Sequence, residues 1–434
     1  MSPGDVAFIL FSVFAILVLL RVPVAFALGL ACIPVFFIDE RLTPFVLLQQ
    51  MFKSYNAFIL LAVPFFLLAA NLMNSAGITD RLVRLAQSMV GHLPGGLGHI
   101  NVVVSMMFAG ISGSSTADAA GIGSLLIPQM KKQGYDTSFS VAITACSSVM
   151  GVIIPPSILM IVWGGLMSVS IGGLFLAGVV PGVLIGLSMM ATVYVYARRR
   201  GYPMYARASL REFAGALAQA ALALMTPVII VGGIVGGFFT PTEASVVAVV
   251  YSILLGLFVY RTLGPVELPR VLYDSARFAA ISLFAIGTAS AFGWALAYFH
   301  IPRALVAEIE AMGLGLYGTG IMVAVAFLII GMFIDAIPAI IILGTVLAPV
   351  AAAVGMHPIH FAIIGVVSLA FGLVTPPYGL CLLIACAIGE IPVLRALKDV
   401  GIILLPMLGV LLLIILLPDL ILALPRLLLP RFVT

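Results

Sequence analysis

Seven glycines and prolines recur along this chain in a fixed order and at a fixed spacing. Gly110, Gly123, Pro128, Gly134, Gly151, Pro155 and Pro156 return as Gly331, Gly344, Pro349, Gly355, Gly372, Pro376 and Pro377, each pair separated by the same 221 residues without a gap. Chance does not keep seven such matches in register, so the chain reads as two homologous halves. The first copy runs GISGSSTADAAGIGSLLIPQMKKQGYDTSFSVAITACSSVMGVIIPPS from Gly110 to Ser157. It places small, hydroxylated and helix-breaking residues within an otherwise apolar chain.

That setting gives the breaks their meaning. Of the 434 residues 63% are hydrophobic and only 8% charged, which excludes a soluble globular domain and predicts an all-α polytopic membrane protein. In hydrocarbon every backbone N–H and C=O needs a partner within the protein, so a Gly/Ser-rich interruption at membrane depth is tolerated where it lines a cavity or binds something. Matching interrupted segments in two halves of one chain point to the binding site of a secondary transporter. The net charge of +4 is small and dispersed, which argues against a nucleic-acid partner. No GxxxxGK[ST], HExxH or Ser/His/Asp grouping is present, so no enzymatic activity is expected.

Apolar runs place the spans. Val6–Leu20 and Val22–Ile38 predict a helical hairpin, Ala57–Met73 a span, and the mixed runs Thr43–Ser54 and Ile78–Val90 two interfacial arms. Ile100–Ala109 is too short to cross before it meets Gly110, so 99–130 is expected to enter and leave by one side as a re-entrant hairpin. Ser138–Met150 and Ile158–Met167 are half-helices broken at Gly151–Pro156, because proline lacks a donor and keeps its predecessor out of the helical region. Phe175–Ala197 spans next. The second half repeats the plan with spans 221–238 and 244–260, an arm at Pro265–Asp274, a span at Phe278–Ala297 and an arm at Pro302–Met312. A second hairpin, Leu316–Ile330 with Ala336–Ala348, and a second broken helix, Phe361–Phe371 with Leu380–Ile388, follow. Ile402–Leu417 is a last span without a partner in the first half.

Lys and Arg set the orientation. Arg21, Arg81, Arg84, Lys131, Lys132, Arg198–Arg200, Arg261, Arg395 and Lys398 are expected on the cytoplasmic side, and 304–394 contains neither residue. An odd number of crossings then separates the two hairpins, so the first opens inward, the second outward, and the repeats are inverted. Arg426 and Arg431 fit this count poorly.

Each hairpin tip presents free N–H groups at the start of one helix and free C=O groups at the end of the other, which attract anions and cations respectively. No Lys or Arg lies in 101–130 or 331–389. A substrate anion there would be held by helix ends, by Ser112, Ser114, Ser115, Thr116 and Thr375 beside the breaks at Pro155, Pro156 and Pro376, and by co-bound cations. Hard oxygen ligands of this kind suit sodium or a proton. Asp118 and Asp335 are acids at membrane depth, which makes each a functional candidate. Asp335 is expected near a cation site, whereas Asp118 is read either as a functional acid or as a cap of its own helix that satisfies the turn. Glu243 is expected to cap a helix start. His357 and His360, three apart around Pro358, are not expected to bind metal, and Gly232–Gly237 is expected to pack helices.

The motifs GISGSSTADAAGIGSLLIPQM (Gly110–Met130), GVIIPPS (Gly151–Ser157), TPTEAS (Thr240–Ser245), GMFIDAIPAI (Gly331–Ile340) and GLVTPP (Gly372–Pro377) together resemble the large membrane subunit of the tripartite ATP-independent periplasmic transporters. The resemblance extends over essentially the whole chain. It implies a carrier of the bacterial inner membrane, in which two re-entrant hairpins and two broken helices move as an elevator against a scaffold. On that plan 1–92 holds scaffold spans and arms, 93–173 the first hairpin and broken helix, and 174–312 a connecting span with the second-repeat scaffold. Residues 313–392 hold the second hairpin and broken helix, and 393–434 the C-terminal span. It also implies sodium as driving ion, no cofactor, a separate small four-span membrane subunit, and a periplasmic binding protein delivering an organic acid such as a dicarboxylate, sialic acid or another sugar or keto acid. Carried over by motif, the sodium sites would lie where Ser112, Gly113 and Ser115 face Gly151 and Ile154, and where Gly331 and Asp335 face Gly372 and Thr375. A single-component sodium:dicarboxylate carrier of the same superfamily, and an ion channel, are the alternative readings.

Overall fold

The computed structural model describes residues 2–39 and 41–430, and among these every regular element is a helix. Among the described residues seven helices are long and apolar enough to cross a membrane: Phe58–Ser75, Ile171–Arg200, Leu210–Val235, Pro241–Val259, Glu267–Tyr298, Ala336–Ala353 and Val393–Leu416. Shorter apolar helices lie where the sequence is broken.

Local chemistry explains the boundaries. Pro3–Leu19 starts at a capping box in which Ser2 and Asp5 satisfy each other's backbone N–H groups. The expected partner span is interrupted, running as Val24–Ala31 and then Val35–Ile38, because Pro34 follows at once. The arm Ile78–Val90 buries Ile78, Leu82, Leu85 and Ala86 on one face. Arg81 folds back onto the carbonyls of Ala76 and Gly77 and stacks 3.7 Å over the Tyr260 ring. Glu243 caps as expected, in a box with Thr240 at the start of Pro241–Leu254.

Two expectations need correction. The arm Pro265–Asp274 and the span Phe278–Ala297 are one uninterrupted helix, Glu267–Tyr298. Its first turns tolerate Pro269, and nothing between Arg270 and Ile286 breaks a helix. The final span begins earlier than expected, at Val393, and a further helix follows it, Pro418–Leu428, which turns Ile421 and Leu422 inward. Arg426 belongs to that helix and pairs with Asp419 at the surface. Arg431 lies outside the described residues.

The interrupted elements form one body. Leu380–Gly389 packs on both Ser115–Lys132 and Thr137–Ser148, and Pro358–Gly372 packs on Gly315–Gly331. The long helices Ile171–Arg200 and Val393–Leu416, which the sequence boundaries set outside the two broken-helix halves, pack against this body as well. A polar cluster joins them to it at one end: Asp399, nearly buried, accepts from Ser138, from Tyr196 at 3.0 Å and from Arg200 at 3.2 Å, while Arg200 also reaches Asp136 at 2.7 Å. Ala62–Ser75 and Glu267–Tyr298 form the wall that the body faces, and Pro241–Leu254 packs on Ala62–Ser75.

Candidate functional site

The first tip is only two residues long. Gly96–Ser112 ends at Gly113, whose φ of +62° is the left-handed conformation that glycine adopts without strain, and Ser115–Lys132 begins after an extended Ser114. The Ser114 side chain makes no capping bond, so the N–H groups of the new helix stay open. Ser114 Oγ lies 3.2 Å from Thr116 Oγ1. Ser112 donates its hydroxyl to Asp118 Oδ1, and Asp118 Oδ2 is buried without a partner.

This tip is fastened to the first broken helix. There Thr137–Ser148 tightens into a 3₁₀ turn at Val149–Val152 and restarts as Ile158–Met167. Ile158 N donates to Gly113 O at 3.3 Å and Ser115 Oγ to Val149 O at 3.4 Å. Gly151 lies against the Asp118 carboxylate, where a Cβ would have no room. Ser112 and Gly151 therefore meet at Asp118, while Gly113 and Ser115 bond the break at Ile158 and Val149. The Ile154 side chain packs over Gly182.

The second tip is built differently. Gly315–Gly331 ends in a turn, and Asp335 caps the short helix Ala336–Ala339 by accepting from Ala336 N at 2.9 Å. The expected regular helix after it contains a widened π turn at Ile340–Gly344 before Thr345–Ala353. Thr345 Oγ1 returns to the carbonyls of Ile341 and Ile342 there. The second tip meets its own broken helix through Tyr378 N, which donates to Met332 O at 3.1 Å. Gly331 and Gly372 touch backbone to backbone: a Cβ on Gly372 would stand 2.7 Å from the Gly331 Cα.

Both tips open on one cavity of about 630 Å³, within the range of small-molecule sites. Ser112, Gly113, Ser114, Ser115 and Thr116 line it from the first tip and Asp335 from the second. Asp335 is thus exposed where it faces the cavity. Pro155, Pro156, Thr375 and Pro376 are not on the cavity wall among the described residues. Thr375 Oγ1 donates to Phe371 O at 2.7 Å, which leaves its lone pairs as acceptors. Gly331 and Gly372 serve the contact between tip and broken helix. His357 and His360 are far apart in role, the first accepting from Ile359 N and the second meeting Ile414 O at 2.9 Å.

Two wall residues escaped the sequence reasoning. Asn71 and Asn74, on Ala62–Ser75, line the cavity opposite the tips. The available signal was their position, since two carboxamides three residues apart inside an apolar span ask for an explanation. No Lys, Arg or His is on the cavity wall among the described residues, and Asp335 is its one acid.

The sequence profile described as "Tripartite ATP-independent periplasmic transporter, DctM component" matches residues 11–420. The C4-dicarboxylate TRAP transporter large permease protein DctM of Pseudomonas aeruginosa is 40% identical over 79% of this chain and 80% of its own length. The sialic acid TRAP transporter large permease protein SiaM of Vibrio cholerae is 38% identical over 87% and 89%. In three dimensions the chain is similar to the YdaH transporter of Alcanivorax borkumensis, with a TM-score of 0.62 at 15% identity, covering 86% of this chain and 88% of that one.

Proposed function

The chain belongs to the DctM component family of tripartite ATP-independent periplasmic transporters, and on that premise we propose that it is the large membrane subunit of a sodium-coupled importer of an organic acid. The observation that carries this reading is the shared cavity, into which the tips of both repeats open and on whose wall, among the described residues, no Lys, Arg or His is found. An anionic cargo in such a place needs helix N-termini, hydroxyls and co-bound cations for balance. The open start of Ser115–Lys132, with Ser114 and Thr116, is suited to a carboxylate.

Sodium would be held by oxygens of this chain. The Asp118 carboxylate, Ser112 and the carbonyls around Gly151 supply one candidate set, and Asp335 with the tip and break carbonyls near Gly331 and Gly372 another. Hard oxygen ligands of this type fit a group 1 cation. In the proposed cycle the two hairpins and two broken helices travel together across the wall of Ala62–Ser75 and Glu267–Tyr298, exposing the cavity to each side of the inner membrane in turn. A small membrane subunit and a periplasmic binding protein would complete the assembly.

Reconstitution into proteoliposomes with those two partners tests the proposal. Uptake of a labelled organic acid should require the binding protein outside and an inward sodium gradient. Uptake at full rate with potassium replacing sodium, or without any binding protein, would sink it.

A further inference from the structure

The cargo can be defined more narrowly, an inference that rests on the transport function just proposed. Asn71 and Asn74 are three residues apart and so occupy one face of Ala62–Ser75. Each is held by one polar atom and keeps the other. Asn71 Nδ2 donates to Ser275 Oγ at 2.9 Å, and Asn74 Oδ1 accepts from Thr79 Oγ1 at 3.2 Å. These bonds come from behind the cavity wall, so the carboxamides are oriented before any ligand arrives. Across from Asn74 the first hairpin carries Gly121, where an added Cβ would already lie 3.5 Å from the amide. The approach of body to wall at this point is close.

We propose that Asn71 and Asn74 are specificity-determining residues that hydrogen-bond the hydroxylated end of a monocarboxylic acid whose carboxylate sits at the tips. A carboxamide both donates and accepts, and so does a hydroxyl, whereas a carboxylate only accepts. A second carboxylate at this wall would leave an amide oxygen facing a negative charge. It would also find no Lys, Arg or His on the cavity wall, while Asp335 adds a further negative charge. An unpaired charge in such a site is far more expensive than a hydroxyl with two partners. Relatives named for a dicarboxylate and for a sialic acid are about equally similar to the chain, at 40% and 38% identity, so the wall chemistry carries the distinction.

The test is calorimetric titration of the full-length chain assembled with its small membrane subunit in nanodiscs, in sodium, with D-gluconate, D-glucuronate and N-acetylneuraminate against succinate and hexanoate. At least one hydroxylated acid should bind about tenfold or more tighter than both succinate and hexanoate. N71A and N74A should each weaken that acid about three- to tenfold, as loss of one neutral hydrogen bond implies, without changing hexanoate. Asn74 is exposed in the cavity, so N74A carries the test where N71A fails to fold. Preference for succinate, or unchanged affinity for the hydroxylated acid in a folded N74A, overturns the inference and leaves the transport reading intact. Absence of sodium-dependent binding for every acid counts against the transport reading itself, and this inference falls with it.

Discussion

The Ser112 hydroxyl donates to one oxygen of the Asp118 carboxylate, six residues further along the chain, and leaves the other oxygen buried without a partner beside Gly151. The carboxylate does not cap its helix, since the N-cap is Ser114. It ties the tip closed and turns one unsatisfied oxygen toward the broken helix. A buried carboxylate in that state is stabilised by an added cation, because leaving it unpaired costs several kcal/mol in general.

Asp118→Asn keeps the shape and the acceptor for Ser112 while removing the charge. The sodium concentration for half-maximal uptake should rise about tenfold or more, with expression unchanged, as read from uptake against sodium in proteoliposomes. An unchanged sodium dependence would reduce Asp118 to a fastener of the tip.

The hydroxyls at the start of Ser115–Lys132 and the two acids are expected to do different work. Thr116→Ala and Ser115→Ala should each weaken substrate affinity by about 0.5–1.5 kcal/mol, roughly two- to tenfold. Part of the Ser115 effect would come through its bond to Val149 O. Asp335→Asn should instead shift the sodium dependence. The assignment is reversed if Ser115→Ala moves the sodium curve and Asp335→Asn does not.

Gly372→Ala places a methyl group against the Gly331 backbone at 2.7 Å, where no flexible side chain can give way. Overpacking of this kind destabilises by about 1–3 kcal/mol. A clear fall in the detergent melting temperature is expected, whereas Gly401→Ala, with nothing within 4 Å of the added Cβ, should leave it unchanged. Equal melting of the two variants would show that the tip and the break are less tightly joined than described.

Inversion of the repeats has its own measurement. Single cysteines placed at Gln133 and Gly355 in a cysteine-free background should react with an impermeant maleimide from opposite faces of oriented vesicles. Labelling from the same face would remove the inverted repeat.

Much of the architecture was written locally. The half-helices at Ile158–Met167 and Leu380–Gly389, the tip at Gly113 and the cap at Thr240 follow from glycine, proline and capping residues acting within a few positions, so the sequence alone determined them. The 221-residue repeat likewise needed no coordinates. Continuity was harder to read: Glu267–Tyr298 contains charged residues that suggested an arm, yet helical hydrogen bonds run through them because no breaker intervenes. The terminal helix Pro418–Leu428 was missed because its inward face is short and its packing partners are remote in sequence. Which polar groups remained available was decided only by tertiary structure. Thr375 gives its hydroxyl hydrogen to Phe371 O and keeps only its lone pairs, and Asn71 and Asn74 came to face the tips across a gap that only the packed helices create. Hydrogen-bond valences are few and are filled by whichever partner folding brings nearest, so a residue's type sets what it can bind and its neighbours in space set what is left to bind with.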